Sequence, residues 1–181
     1  MYDASPEHAH FESPILTNKA RTLGKALGKF GLGIVARIGS PIVAAALDAL
    51  SDATAASVVL SPAATPTEHE RAYRLPKVSH PLIYTGRGSL GTDSIAIHSA
   101  SAVLIFGSYP RTLENIIECV GDTMIPVGVL TDEDTSDVHE RVRTLSPRLT
   151  AQLFVSHDPH VLVRELADEL RRRAFETKLS Q

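Results

Sequence analysis

Apolar residues near the start of the chain recur at alternating spacings of four and three, with lysines at positions between them. The apolar set is Leu16, Ala20, Leu23, Leu27 and Phe30. Residues at this spacing share one face of a helix. The pattern predicts an amphipathic helix that ends near Gly31, where a glycine can adopt the left-handed conformation of a helix cap.

Six short apolar runs without regular polar alternation follow this helix. They are IVA at 34–36, SVVL at 57–60, LIYTG at 82–86, AVLIF at 102–106, PVGVL at 126–130 and AQLFV at 151–155. Helical segments between or after them start at Ser40 and Pro41 and cover Thr92–Ser99, Thr112–Val120, Thr135–Leu145 and Pro159–Lys178. Strands that are apolar on both sides are typical of a parallel sheet with helices on both faces. The sequence therefore predicts an α/β protein with a doubly wound, mostly parallel, Rossmann-like sheet.

Length and composition favour a single domain. The chain has 181 residues, of which 43% are hydrophobic and 22% charged, as in ordinary globular proteins. We predict a flexible arm over residues 1–12 and one domain over residues 13–181. The longest stretch without clear periodicity runs from 61 to 81, and long loops in compact domains are often functional.

Charge and cysteine content exclude several classes of protein. The net charge is −3, and basic residues near the C-terminus are matched by acids on the same predicted helix, so we expect no nucleic-acid partner. No apolar run approaches the roughly 20 residues that cross a bilayer, so we expect no membrane association and a cytoplasmic location. The single cysteine, Cys119, excludes an internal disulfide and a cysteine-based metal site. We predict neither a metal nor a resident cofactor.

Small and turn-forming residues gather after four of the predicted strands. The stretches are ARIGSP at 36–41, SPAAT at 61–65, TGRGSLGTD at 85–93 and GSYPRT at 107–112. In doubly wound sheets the ligand lies at the carboxyl ends of the strands, where glycine turns and helix N-termini suit a phosphate. The predicted phosphate-binding residues are Gly86, Gly88, Gly91, Gly107, Ser108, Arg111 and Thr112, with Gly39, Ser40, Ser61, Glu68 and His69 as further candidates. The alternative interpretation is that each stretch is an ordinary turn and helix cap.

The acidic stretch TDEDTSD at 131–137 also has two interpretations. Its carboxylates are ligands that a hard cation such as Mg²⁺ prefers. The same acids favour the N-terminus of the helix that follows. The second interpretation is the preferred one, because water solvates acidic side chains in an exposed loop and no metal ion is required to balance their charge.

Three segments, in order along the chain, carry a likeness to a known family. They are LSPAATPTEHERAYRLP, LIYTGRGSLGTDSIAIHSASAVLIFGSYPRTLENI and IPVGVL. Together they resemble the lonely-guy or "lysine decarboxylase-like" Rossmann proteins, the group also called SLOG, over roughly Leu16–Leu170. The resemblance implies a dimer related to enzymes that hydrolyse the N-glycosidic bond of nucleoside 5′-monophosphates. It also implies that Gly107 and Thr112 belong to the turn that holds the phosphate.

The catalytic positions of that family are altered in this chain. Asn115 stands at the family's glutamate, and Glu114 lies one step earlier, rotated by about 100° around the helix. Thr92 stands at the family's arginine, and Arg87 is a nearby substitute. An amide cannot supply the charge of a carboxylate to a cationic transition state. The resemblance thus implies a phosphate site without its catalytic pair.

The resemblance is also incomplete towards the N-terminus. VARIGSP at 35–41 stands at a glycine-rich loop of the family and retains Gly39 and Pro41. The family's first strand has no counterpart within residues 1–12. A missing strand exposes a sheet edge, which favours pairing with another chain.

The sequence leaves three functions open. The favoured one is a divergent, catalytically impaired member that binds a nucleotide or related phosphorylated ligand and acts as a sensor or regulator, as a homodimer or higher oligomer. The second is an active nucleoside 5′-monophosphate phosphoribohydrolase. The third is a structural or interaction subunit without a ligand.

Overall fold

The computed structural model describes residues 14–38, 41–50, 55–72, 80–106, 120, 124–132 and 134–179. In chain order the elements are α1 (Pro14–Lys29), β1 (Ile34–Arg37), α2 (Pro41–Leu50), β2 (Ser57–Ser61), α3 (Pro66–Ala72), β3 (Leu82–Tyr84), α4 (Gly88–His98), β4 (Val103–Phe106), β5 (Val127–Leu130), α5 (Thr135–Leu145), a 3₁₀ helix (Leu149–Gln152), β6 (Leu153–Ser156) and α6 (Pro159–Leu179). Strands and helices alternate, as the sequence predicts, except between β4 and β5, whose connection lies mostly outside the described residues.

The strands form two three-stranded sheets in the orders β1-β2-β3 and β4-β5-β6, and all paired strands are parallel. Ile34 of β1 and Phe106 of β4 pack against the same buried cluster. That cluster takes Leu27 from α1, Leu130 from β5 and Leu162 from α6, so the two halves share a core. Two parallel three-stranded sheets that are flanked by helices and share a core are consistent with a doubly wound protein. The predicted fold class is confirmed.

Helix α1 packs closely on α2 through a glycine. A Cβ atom at Gly24 would lie 2.1 Å from the carbonyl oxygen of Ala46, so a larger residue there would separate the two helices. The end of α1 agrees with the prediction: Gly31 has a φ of +68°, and its N–H donates to the carbonyl of Gly28. The apolar face of α1 is buried, which confirms its predicted amphipathic character.

The prediction of an irregular segment over 61–81 is wrong in part, because residues Pro66–Ala72 form α3. Thr65 begins the helix: its Oγ1 accepts a hydrogen bond from the N–H of Glu68 at 3.2 Å. The carboxylate of Glu68 reaches back and accepts from the N–H of Ala64 at 2.9 Å. This arrangement is close to a capping box, except that the carboxylate bonds the N–H of the residue before the cap, and proline occupies the first helical position. The sequence TPTE carries the signal.

Helix α4 begins earlier than predicted. The sequence indicates a start at Thr92, but the helix begins at Gly88. Its early residues include glycine and serine, which have low helix propensity and obscure the periodicity. The glycine-rich stretch is therefore the first turn of a helix as well as a loop.

The acidic stretch at 131–137 supplies a helix cap. The side chain of Asp134 accepts a hydrogen bond from the N–H of Ser136 at 2.8 Å, at the start of α5. This backbone hydrogen bond lowers the pKa of Asp134 below its ordinary value. The preferred interpretation of the stretch, a set of acids at a helix N-terminus, agrees with this contact.

Several predictions lie outside the described residues. They concern the arm at 1–12, the missing first strand, the segment at 73–79 and most of the helix at Thr112–Val120. The same holds for Gly39, Ser40, Gly107, Ser108, Arg111, Thr112, Glu114, Asn115 and Cys119. These remain predictions from sequence.

Candidate ligand-binding site

The loops that follow β2 and β3 are joined by backbone hydrogen bonds. The N–H of Thr85 donates to the carbonyl of Ser61 at 2.9 Å, and the N–H of Gly86 donates to the carbonyl of Ala63 at 3.0 Å. The N–H of Gly88 donates to the carbonyl of Pro62 at 3.3 Å. Two stretches that the sequence singles out separately therefore form one surface at the carboxyl edge of the first sheet.

Two glycines turn the chain from β3 into α4. Gly86 and Gly88 have φ values of +63° and +65°, in the left-handed region that favours glycine. A Cβ atom at Gly86 would lie 3.3 Å from the Cβ of Ala64, whereas one at Gly88 would meet no atom within 4 Å. The space that a Cβ atom would take at Gly88 is therefore open.

The N-terminus of α4 is accessible and carries no side-chain cap. Arg87 occupies the capping position and makes no side-chain capping hydrogen bond. Arg87, Gly88, Ser89 and Leu90 are all exposed. The N–H of Gly88 already donates to Pro62 and that of Arg87 lies 3.4 Å from Oγ1 of Thr85, so an anion would meet the N–H groups that follow in the first turn. The dipole at a helix N-terminus attracts anions, and the guanidinium of Arg87 adds a positive charge there. The arrangement suits an anionic group such as phosphate.

The hydroxyl groups of two threonines hold the glycine turn that precedes α4. The hydroxyl of Thr92 donates to the carbonyl of Gly88 at 2.7 Å and lies 2.7 Å from the hydroxyl of Thr85. The hydroxyl of Thr85 in turn donates to the carbonyl of Ser61 at 2.9 Å. Thr92 and Ser61 are fully buried. These contacts fix the glycine turn against the end of β2.

His69 lies beneath the surface of the site. Its Nδ1 is 2.8 Å from the Oγ of Ser61, and that oxygen also accepts a hydrogen bond from the N–H of Ala63 at 3.2 Å. The ring of Tyr84 meets the imidazole edge to face, with centroids 5.8 Å apart. His69 is 8% exposed, so it supports the SPAAT loop from the core side.

The structure thus brings together most of the described candidate residues. These residues belong to the end of β2, to α3, to α4 or to the loop before α4: Ser61, Glu68, His69, Gly86, Arg87, Gly88, Gly91 and Thr92. Within this group Arg87 and Gly88 are exposed, whereas Ser61, His69 and Thr92 are buried. Gly91 is needed for packing, because a Cβ there would lie 2.7 Å from the Cβ of Arg87. Ligand contact by any of them stays a prediction.

Sequence reasoning missed one charged pair at this edge. Nε of Arg37, the last residue of β1, lies 2.5 Å from Oδ1 of Asp93 on α4. Both side chains are about one-third exposed, at 35% and 29%. The available signal was an arginine at the end of an otherwise apolar strand, since parallel strands rarely carry charge.

The described residues show neither a metal cluster nor a membrane-spanning helix. In the described ranges, no cluster of three or more His, Cys, Asp or Glu side chains is arranged to hold a metal ion. None of the helices in that part of the chain combines the length and the apolar character needed to cross a membrane.

Fold and geometry together define a parallel α/β protein with an accessible helix N-terminus at the carboxyl edge of its sheet. The chain is similar to the molybdenum cofactor carrier protein of Chlamydomonas reinhardtii, with a TM-score of 0.67 and 17% identity over 88% of this chain and 90% of that one. It is also similar to the molybdenum cofactor binding protein of the phototrophic bacterium Rippkaea orientalis, with a TM-score of 0.65 and 19% identity over 90% of each chain. A second structure of the Chlamydomonas carrier protein gives a TM-score of 0.65 and 17% identity over 88% of this chain and 90% of that one. At these identities the likeness establishes the fold.

The assignment to the lonely-guy group is wrong. No protein-family model matches the chain, no curated protein matches it, and the three solved structures named above are molybdenum cofactor proteins. The favoured function of an impaired nucleotide sensor and the alternative of a phosphoribohydrolase are overturned with it. The physical reason lies in the motifs: Glu68 caps α3, and Thr92 holds the turn before α4. Parallel α/β proteins of several families need such turns and caps, so the shared letters do not identify one family.

Proposed function

We propose that this protein binds an anionic small-molecule cofactor, of the molybdenum cofactor kind, and holds it as cargo without converting it. The observation that carries the proposal is the accessible N-terminus of α4, reached through two left-handed glycines and flanked by Arg87. The similarity in fold to molybdenum cofactor carrier and binding proteins covers about nine-tenths of the chain and supplies the class of ligand.

The negative charge of the ligand suits the helix N-terminus and the arginine at this edge of the sheet. The molybdenum cofactor is a pterin that bears a phosphate and is therefore an anion. A phosphate at the N-terminus of α4 would accept hydrogen bonds from backbone N–H groups and gain from the helix dipole. Arg87 would add a charge-assisted hydrogen bond, which is stronger than one between neutral groups.

The structural contacts of the nearby ionisable side chains favour binding of the ligand without its chemical conversion. The carboxylate of Glu68 accepts the N–H of Ala64 and stabilises the start of α3. His69 is buried against Ser61 and Tyr84. Both side chains are used in structural contacts, whereas a general acid or base must reach the reacting atoms of a ligand. The proposal therefore assigns no catalytic residue.

Anaerobic gel filtration tests the proposal. The protein is incubated with cofactor released from a purified molybdoenzyme, and eluted fractions are analysed for molybdenum and for the fluorescence of the oxidised pterin. We expect both to elute with the protein. Absence of both from the protein fractions of the wild type would contradict the proposal.

Two arginine substitutions, one at the start of α4 and one on α3, provide a matched comparison. Arg87→Gln is expected to weaken retention of the cofactor by about tenfold, because a hydrogen bond to a charged group contributes roughly 1.5–3 kcal/mol. Arg71→Gln removes an exposed arginine from α3 and should leave retention unchanged. Equal losses in the two variants would indicate nonspecific attraction and would oppose a site at α4.

We further propose that the protein acts in the cytoplasm as a homodimer or higher oligomer. The single cysteine of the sequence suits a reducing compartment. Light scattering of the purified protein, with and without cofactor, would measure the oligomeric state directly. A monomeric mass under both conditions would contradict the oligomer.

A further inference from the structure

Arg37 is a charged residue in an unusual place. It ends β1, whose other residues are Ile34, Val35 and Ala36, and it pairs in register with Leu60 of β2. Its Nε lies 2.5 Å from Oδ1 of Asp93, so its side chain is on the face of the sheet that α4 covers. Strands of parallel sheets are mostly apolar, and ligands of open α/β sheets bind outside the carboxyl ends of the strands.

Arg37 lies at the carboxyl end of an edge strand of the first sheet. β1 is at one edge of its sheet, and its Ile34 packs against the same buried cluster as Phe106 of β4. Ligands of doubly wound proteins bind at the carboxyl ends of the strands. Asp93 lies five residues after Gly88, a rise of about 7.5 Å along the helix. The ion pair therefore places the guanidinium beside the second turn of α4, at the same carboxyl edge as the candidate site.

We infer that Arg37 binds an anionic group of the cofactor and that Asp93 is a positioning residue that orients it. The inference rests on the proposed function and names a second cationic contact for it. The contact to Asp93 uses Nε, so the two Nη nitrogens are not taken up by this carboxylate. Those nitrogens form the fork that suits bidentate contact with phosphate oxygens.

A purely structural ion pair is the alternative, in which Arg37 only anchors α4 to β1. The two roles differ in what happens when both charges are removed together. A structural pair leaves no unpaired charge in the double variant, so stability and binding would both recover. A ligand-binding arginine leaves binding impaired even where stability recovers.

The test measures the dissociation constant for cofactor and the midpoint of thermal unfolding in four variants. They are Arg37→Gln, Arg37→Lys, Asp93→Asn and the double variant Arg37→Gln/Asp93→Asn. We expect Arg37→Gln and the double variant to bind at least about tenfold more weakly than the wild type, because each lacks a charged donor. Arg37→Lys should restore part of the affinity, and Asp93→Asn should retain more of it than Arg37→Gln.

Unfolding midpoints show whether each variant is folded at the binding temperature. Wild-type affinity in folded Arg37→Gln, or recovery of affinity in the double variant, would overturn the inference while the proposed function stands. A wild type that binds no cofactor would overturn the proposed function and this inference together.

Discussion

The hydroxyl oxygens of Thr85 and Thr92 lie 2.7 Å apart. Thr92 also contacts the carbonyl of Gly88 at 2.7 Å, and Thr85 contacts the carbonyl of Ser61 at 2.9 Å. Each hydroxyl carries one proton, so two of these three oxygen–oxygen contacts are hydrogen bonds at any one time. The chain ties together the end of β2, the glycine turn and the second turn of α4. Any ligand site at the start of α4 depends on these buried contacts.

Thr92→Val keeps the shape of the side chain and removes its hydroxyl. We expect the free energy of unfolding to fall by about 1–3 kcal/mol, because buried polar groups lose a partner. Thr92→Ser is the control and keeps the hydroxyl, losing about 0.8 kcal/mol for the missing methyl group. Denaturant unfolding measures both. A Thr92→Val protein as stable as the wild type would show that the hydroxyl chain contributes little.

Gly88→Ala tests the glycine turn against a control of matched conformation. Gly88 and Gly31 have φ values of +65° and +68°, and an added Cβ meets nothing within 4 Å at either position. Each alanine should cost about 1–2 kcal/mol of stability, because an L-residue is strained in the left-handed region. Thermal unfolding should therefore shift similarly in the two variants. A much larger shift at one of them would contradict equal backbone strain.

Gly24→Ala tests the contact between α1 and α2. The added Cβ would lie 2.1 Å from the carbonyl oxygen of Ala46, so the helices must separate. We expect a loss of about 1–3 kcal/mol, the usual cost of overpacking, despite the better helix propensity of alanine. Lys25→Ala on the exposed face of the same helix should change stability little. Denaturant titration compares the two, and equal stability would disprove the close packing.

Acid should weaken an ion-pair network on α6. Hydrogen bonds from Arg172, and then from Arg173, lower the pKa of Glu169 from 4.5 to about 2. Because the folded pKa lies below the unfolded one, the stabilisation is complete above pH 4.5 and is lost as the pH falls through about 2.

Comparison of Glu169→Gln with the wild type across that range measures this contribution. We expect the wild type to be more stable by about 1 kcal/mol near neutral pH, since the arginine partners are largely exposed. The difference should shrink as the pH approaches 2. A constant difference would mean that Glu169 acts through packing alone.

The fold could be predicted because its strands are apolar on both sides. All four residues of β5, from Val127 to Leu130, are buried, and this burial explains the absence of polar alternation. Helix α5 was predicted at Thr135–Leu145, the bounds found in the structure. The short helix α3 was missed because it has too few residues for a hydrophobic period, although its capping residues mark the start.

The site could be predicted only in outline. The glycine turn before α4 was predicted from Gly86 and Gly88, whose positive φ values agree with the expectation of a special backbone. Burial of Thr92 and His69 could not be predicted, because it depends on how α3 and α4 pack on the sheet. The ion pair between Arg37 and Asp93 joins residues far apart in sequence. The family was misassigned because turn and cap residues recur across unrelated α/β proteins.

The most direct test of the central claim is the dissociation constant for molybdenum cofactor in the wild type, Gly88→Ala and Gly31→Ala proteins. Equilibrium dialysis under anaerobic conditions, with molybdenum measured on both sides of the membrane, gives all three values. We predict that Gly31→Ala binds like the wild type and that Gly88→Ala, equally strained but placed at the start of α4, binds at least about tenfold more weakly, a difference of about 1.4 kcal/mol. Equal affinity in all three proteins, or no binding by the wild type, would contradict a cofactor site at this turn.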